Sequence, residues 1–346
     1  MRQVLVVRLD SDGDVLLAGP ALRAVAAGHR RVTLLCGPRG RQAAELLPGV
    51  DALLVWRAPW IDPEPDPVSP EGTLAFVRRL AELAFDEAVV LTSFHQSPLP
   101  TALLLRLAGV PVIAATSVDY PGSLLDVRHG IDDDVHEVER SLSLVASVGY
   151  TLPGDDDGRL RVERPAAGRP SPAGPPPYVV VHPGASVPAR MWGAERSAAL
   201  VQALADEGRR VVVTGGPDER ELTAFVAGRP RPEVLDLGGR TSFAELAEVV
   251  AEAEAVVVGN TGPAHLAAAV GTPVVSLYAP TVPAVRWRPW RVPHVLLGDQ
   301  EAPCAGSRAR ICPTPGHPCL ASVAVEDVVA ALDRLARECL PEAAVA

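Results

Sequence analysis

The chain has 346 residues, 48% of them hydrophobic and only 4% aromatic, with 42 acidic residues against 32 basic ones and a formal net charge of −10. That length accommodates two domains whose cores must be built mainly from Ala, Val and Leu. The acidic balance argues against sequence-independent binding to nucleic acid or an anionic membrane, where the chain would meet repulsion instead of releasing counterions.

Every basic residue is Arg, so an anion site must draw on Arg, His or backbone N–H groups. Spanning a bilayer as a helix takes about 18 or more apolar residues in a row, and none is present. The nearest stretch, 101–118, is broken by Arg106 and Pro111. The N-terminus runs straight into a strand pattern, so no signal peptide is expected. An odd count of five cysteines fits a reducing cytoplasm.

Residues 4–9 read as a buried strand, followed by a helix over about 14–27. Further strands are predicted at 32–36, 52–55, 88–91 and 112–115, with helices at 73–84 and 99–107 between them and a closing helix over 132–148. Strands alternating with helices imply βαβ units and a parallel sheet. Residues 153–177 are rich in Pro, Gly, Asp and Arg and read as an exposed connector. The second half repeats the alternation, with strands at 178–182, 210–214, 234–237, 255–259 and 274–277. Its helices fall at 195–207, 219–227, 242–253 and 263–270. Ser242 with Glu245 forms a capping box signature. Residues 325–338 form a long amphipathic helix. The domain plan is therefore an α/β domain over 1–152, a linker over 153–177, a second α/β domain over 178–324 and a C-terminal segment over 325–346. Two parallel α/β domains in series place a ligand cleft at the carboxyl ends of their strands.

The loops at those ends carry the chemistry. The first is Asp10-Ser11-Asp12-Gly13-Asp14. One Asp at a helix start is explained by capping. Three exceed that need, and they would repel a pyrophosphate; from the residues alone the loop suits either helix capping or a general base. The second, residues 182–192, holds Gly184 for close backbone approach, Ser186 as a hydroxyl and Arg190 as a phosphate partner, with Trp192 packed beneath. In the third, 214–219, either Glu219 or Glu221 can hold a ribose diol, although both also suit a first helical turn. The fourth, 259–265, offers Asn260 or Thr261 as a cap, then Gly262, Pro263 and His265 inside the helix start. Free N–H donors, a positive dipole end, hydroxyls and an imidazole make this an anion site. Cys304, Cys312 and Cys319 cluster with His317. Their spacing lacks a C-x2-C pair, so free thiols in a structured loop are expected in preference to a metal site.

Taken in order, VLVVRLDSDGDVLLAGPALRAV, HPGASVPARMWG, VVVTGGPDE and GNTGPAHLAAAVGTPVVSLYAPT resemble glycosyltransferase family 9, the ADP-heptose:lipopolysaccharide heptosyltransferases. The resemblance spans nearly the whole chain. It implies a GT-B fold: two Rossmann-like parallel-sheet domains facing a central cleft, with the C-terminal helix packing back toward the N-terminal domain. It implies an inverting, metal-independent transfer of a heptose or related sugar from an ADP-sugar, with no cofactor, to a hydroxyl of a glycan or small-molecule acceptor. Asp14 matches the family's base and Arg190 its phosphate-contacting cation. Gly13, Gly184, Ser186, Glu219, Thr241, Ser242, Asn260, Thr261, Gly262 and His265 would bind the nucleotide-sugar. Asp10, Asp12 and Arg128 are acceptor candidates, and Asp10 and Asp12 can equally raise the proton affinity of Asp14 by like-charge repulsion. The expected setting is cytoplasmic, with at most peripheral membrane contact. The alternatives are a GT-B epimerase or hydrolase and a non-catalytic nucleotide-sugar sensor.

Overall fold

A computed structural model describes residues 2–28, 30–132, 134–164 and 171–339. The chain divides into two units, Met1–Glu163 and Arg164–Ala346. In the first, six strands form one parallel sheet: β1 (Gln3–Arg8), β2 (Arg31–Cys36), β3 (Ala52–Val55), β4 (Glu87–Val90), β5 (Val112–Thr116) and β6 (Val127–His129). Their spatial order is β3-β2-β1-β4-β5-β6. Val4, Leu5, Val6 and Val7 are all fully buried. A central strand covered on both faces must be apolar without alternation, which is how this run reads.

The second unit repeats the plan with β7 (Val179–His182), β8 (Val211–Val213), β9 (Val234–Asp236), β10 (Ala255–Gly259), β11 (Val274–Leu277) and β12 (His294–Leu297). Its order, β12-β11-β10-β7-β8-β9, is the same doubly wound arrangement. Strands β6 and β12 are additions to the predicted set. Both are sheet-edge strands of three and four residues, too short to show a period.

The helix predicted over 14–27 is two helices, Asp12–Leu17 and Gly19–Ala27. Pro20, in the first turn of the second helix, has no N–H to continue the first. The helix predicted over 132–148 begins late, at Glu137–Ser147, where His136 and Glu139 form the capping box; residue 133 lies outside the described residues. Of the predicted connector, 165–170 also lies outside them. Its first part is no loose linker. Asp156 grips Arg23 through two hydrogen bonds of 2.7 and 2.9 Å, which fastens this segment to the helix Gly19–Ala27.

The C-terminal helix is part of the second unit's core. Val325–Cys339 buries Val328, Ala331, Leu332 and Leu335 in the core of the second unit, beside residues of β7, β8, β10 and β11. Its apolar face is spent there. Among the described residues, no helix is long and apolar enough to cross a membrane.

Candidate active site

A sheet of this order binds ligands beyond the carboxyl ends of its strands, where the order reverses. The reversal lies between β1 and β4 in the first unit and between β7 and β10 in the second.

The end of β1 is Arg8, only 1% exposed. Its guanidinium fans out to three carboxylates: Nε to Asp10 at 3.0 Å, Nη2 to Asp14 at 2.9 Å and Nη1 to Glu137 at 3.3 Å. The Nη2 group also donates to Ser93 Oγ at 2.9 Å, just beyond β4. Gln96 donates its amide to Asp10, and Ser11 Oγ–H donates to Asp14 Oδ2 at 3.2 Å. Asp14 is the most open of the three acids, 23% exposed against 10% for Asp10 and 1% for Glu137. Burial pushes Asp10 up to about 6, with Arg8 pulling the other way and Asp14 adding to the rise. Burial raises Glu137 as well, again against Arg8.

The remaining first-unit candidates separate from this cluster. Gly13 is buried in the same helical turn as Asp14. Asp12 accepts the Ala43 N–H at 3.0 Å, so it staples its helix to the helix Arg41–Ala44. Burial pushes Asp12 up to about 6, against the pull of that hydrogen bond. Arg128 donates to the carbonyls of Ser117 at 3.0 Å and Val118 at 2.6 Å, bracing the loop after β5. Arg8, Ser93, Gln96 and Glu137 were absent from the predicted site. A charged residue closing an otherwise apolar central strand was a readable signal for Arg8. Glu137, inside the acid-rich run DDDVHEVER, reads as a solvated helix start and carried none.

The second unit is built differently. His182 ends β7, with Nδ1 3.0 Å from Thr214 Oγ1 and Nε2 3.8 Å from Glu219. Burial lowers the His182 pKa, opposed by Glu219, so the ring is neutral near pH 7. The Glu219 carboxylate accepts the Gly216 N–H at 2.8 Å and lies over Gly184, where an added Cβ would sit 2.0 Å from its Oε1. Only glycine permits that approach. Gly259 is needed in the same way: a Cβ there would meet the Arg190 carbonyl at 2.7 Å. Arg190 Nη1 donates to the Asn260 carbonyl at 3.3 Å, which knits loop 182–192 to the end of β10.

The helix Gly262–Val270 begins there, with Thr261 at the N-cap position, no capping bond from its side chain, and His265 buried in the first turn. Asn260 follows β10, with its side chain turned to the segment after β11. Its amide is paired with the Ala279 backbone, donating to the carbonyl at 3.2 Å and accepting the N–H at 3.4 Å. Ser186 is exposed. Ser242 is the N-cap of Phe243–Ala251, bonded reciprocally with Glu245, and Thr241 precedes it. Trp192 is buried beneath its loop and donates to the Val323 carbonyl at 3.3 Å. Cys304 and Cys319 are buried in this unit's core, where burial and the Cys304 thiol push Cys319 up to about 11. Among the described residues no group of His, Cys, Asp and Glu is arranged to hold a metal ion.

Across the strand ends of this unit the candidates follow one line: His265 and Thr261 after β10, His182 and Arg190 after β7, Glu219 after β8, and Thr241 after β9. At about 4.8 Å per strand this row spans roughly 15 Å.

The model of glycosyltransferase family 9 (heptosyltransferase) matches residues 73–316. The chain belongs to glycosyltransferase family 9. Lipopolysaccharide heptosyltransferase 1 of Escherichia coli is 30% identical over 335 residues, covering 91% of this chain and 92% of that relative. Lipopolysaccharide heptosyltransferase 3 of Escherichia coli is 34% identical over 164 residues; that match covers 46% of this chain and 46% of the relative, about half its length. A solved structure of an Escherichia coli heptosyltransferase with ADP-2-deoxy-2-fluoro heptose matches with a TM-score of 0.72, covering 96% of this chain and 99% of its own, at 23% identity. The family-9 chain thus has the GT-B fold, with two Rossmann-like parallel sheets.

Proposed function

We propose that this family-9 glycosyltransferase moves a heptose or related sugar from an ADP-sugar to a hydroxyl of a glycan or small-molecule acceptor, with inversion and without a metal ion or other cofactor. The observation that carries this reading is Asp14, a carboxylate oriented through both oxygens yet open to solvent at the β1/β4 reversal. A sugar hydroxyl becomes a competent nucleophile as its proton passes to such a base. A single displacement at the anomeric carbon needs one base and inverts the configuration. The bond to the diphosphate breaks in the same step and leaves charge on its oxygens. In the second unit, Arg190, His265 and the N–H groups opening the helix Gly262–Val270 suit that charge. The roughly 15 Å row suits an extended nucleotide-sugar, with the diphosphate near β7 and β10, the ribose near Glu219 and the base near Thr241. The adenine nucleotide is supported by the ADP-sugar held in the similar solved structure.

Thermal-shift measurements with ADP, UDP and GDP, followed by ADP-release assays with ADP-heptose and a panel of glycan acceptors, test the reading. A selective response to ADP and acceptor-dependent ADP release are expected. A selective response to UDP or GDP overturns the donor, and ADP release at the same rate without acceptor makes the protein a hydrolase.

A further inference from the structure

Arg8 raises a problem that the proposed base must solve. A guanidinium 2.9 Å from Asp14 competes with an incoming proton for that carboxylate, since a nearby opposite charge favours the charged form. The structure surrounds the same guanidinium with two further carboxylates. Glu137 arrives from 129 residues away, as the first residue of the helix Glu137–Ser147, and places Oε2 at 3.3 Å from Nη1 and 3.4 Å from Nη2. Its side chain is 1% exposed, and its other oxygen, Oε1, has no hydrogen-bond partner among the described residues. A carboxylate buried with half its hydrogen-bonding capacity unused is a poor way to stabilise a fold, because desolvation costs as much as the pairing returns. A role in the electrostatics of the cluster accounts for it better.

We propose that Glu137 is a positioning residue for Asp14: both carboxylates draw on one Arg8 guanidinium, and the share taken by Glu137 keeps Asp14 able to accept a proton. The inference rests on the reading of Asp14 as the base, and it names the device that sets that base's strength. The charged groups facing Glu137 are Arg8, Asp10, Asp14 and Arg140. Ser11, Ser93 and Gln96 complete the shell as neutral hydrogen-bonding groups. With Glu137 charged, Arg8 is divided among three acids. With Glu137 neutral, the cation bears on Asp14 and Asp10 alone.

The test replaces charge without changing shape. In Glu137→Gln, the Asp14 titration midpoint falls by about one pH unit. It is read from the carboxyl carbon resonance that is present in the parent spectrum and missing from that of Asp14→Asn. The acid limb of the kcat profile, measured with ADP-heptose, moves to lower pH by the same amount. At neutral pH kcat falls about threefold, as a Brønsted slope of about one half gives for one pKa unit, while KM for the donor holds. Glu137→Asp keeps the charge, so its midpoint stays near the parent value even where its thermal stability drops. An unchanged or raised Asp14 midpoint in Glu137→Gln overturns the proposal, as does an equal shift in Glu137→Asp. The titration does not depend on turnover. A fully active Asp14→Asn therefore removes Asp14 as the base while leaving the measured coupling to be judged separately.

Discussion

The two units share a strand order and differ in what they place at its reversal. In the first, the groups are side chains: one buried guanidinium that reaches three carboxylates and a hydroxyl over 2.9 to 3.3 Å, with a second hydroxyl and an amide bonded to the carboxylates. In the second, the groups are largely backbone. Gly184 and Gly259 let other atoms approach, the helix Gly262–Val270 opens with no side-chain cap, and Arg190 and His265 stand among these elements. The same scaffold thus carries opposite electrostatics. The first site gathers three carboxylates around one cation; the second offers backbone donors at a helix start. A doubly wound sheet fixes where a site lies, and the loops decide its sign.

Four variants break or sharpen that contrast. The largest effect belongs to Asp14→Asn. If the first site handles the proton, transfer falls by about 10²- to 10⁴-fold while ADP affinity holds; an active variant ends the contrast at once. Arg190→Ala comes next. Losing a charge-assisted contact of about 1.5–3 kcal/mol weakens ADP binding roughly 10- to 100-fold by calorimetry. Unchanged affinity would place the diphosphate elsewhere.

Asn260→Ala sharpens the contrast by separating support from contact. It strips a buried amide from the Ala279 backbone, so a loss of about 1–3 kcal/mol and a drop of several degrees in the melting temperature are expected. A variant that keeps its stability but loses ADP binding would return Asn260 to the ligand. The smallest effect is a pH dependence at Asp12, whose folded pKa stands near 6, above an unfolded value of about 3.9. Such a group stabilises the fold while protonated, fully so below about pH 4, and the contribution is lost as the pH climbs through 6. Urea midpoints should fall between pH 4.5 and 7, and Asp12→Asn should flatten that fall by on the order of 1 kcal/mol. A parent protein that gains stability over this interval contradicts the sign.

Much of this was legible in residue order. Apolar runs mark the central strands because a sheet covered on both faces needs no polar alternation. Gly184 marks a loop that approaches other atoms closely, and of the acids from Asp10 to Asp14 two meet at Arg8. What stayed hidden has a common cause: a polar residue's partner is set by the tertiary fold. Asp12 and Asp14 are two residues apart in one loop, yet one staples a helix and the other joins Arg8. Asn260 sits in a ligand-like motif and spends its amide on Ala279. The C-terminal helix shows an apolar stripe, but a stripe does not say which unit takes it.

The span of the Arg8 cluster bears on how the first unit folds. Its bonds close chain separations of 85 residues to Ser93 and 129 to Glu137. Contacts of such length form after the local ones, once the sheet that carries them has assembled. If the cluster closes only after the sheet, weakening it accelerates unfolding and leaves the folding rate nearly untouched, which a chevron plot of Glu137→Gln tests. Arg8 and Asp14 are only six residues apart, whereas Ser93 and Glu137 join them from far along the chain, so the completed cluster reports how far the first unit has folded.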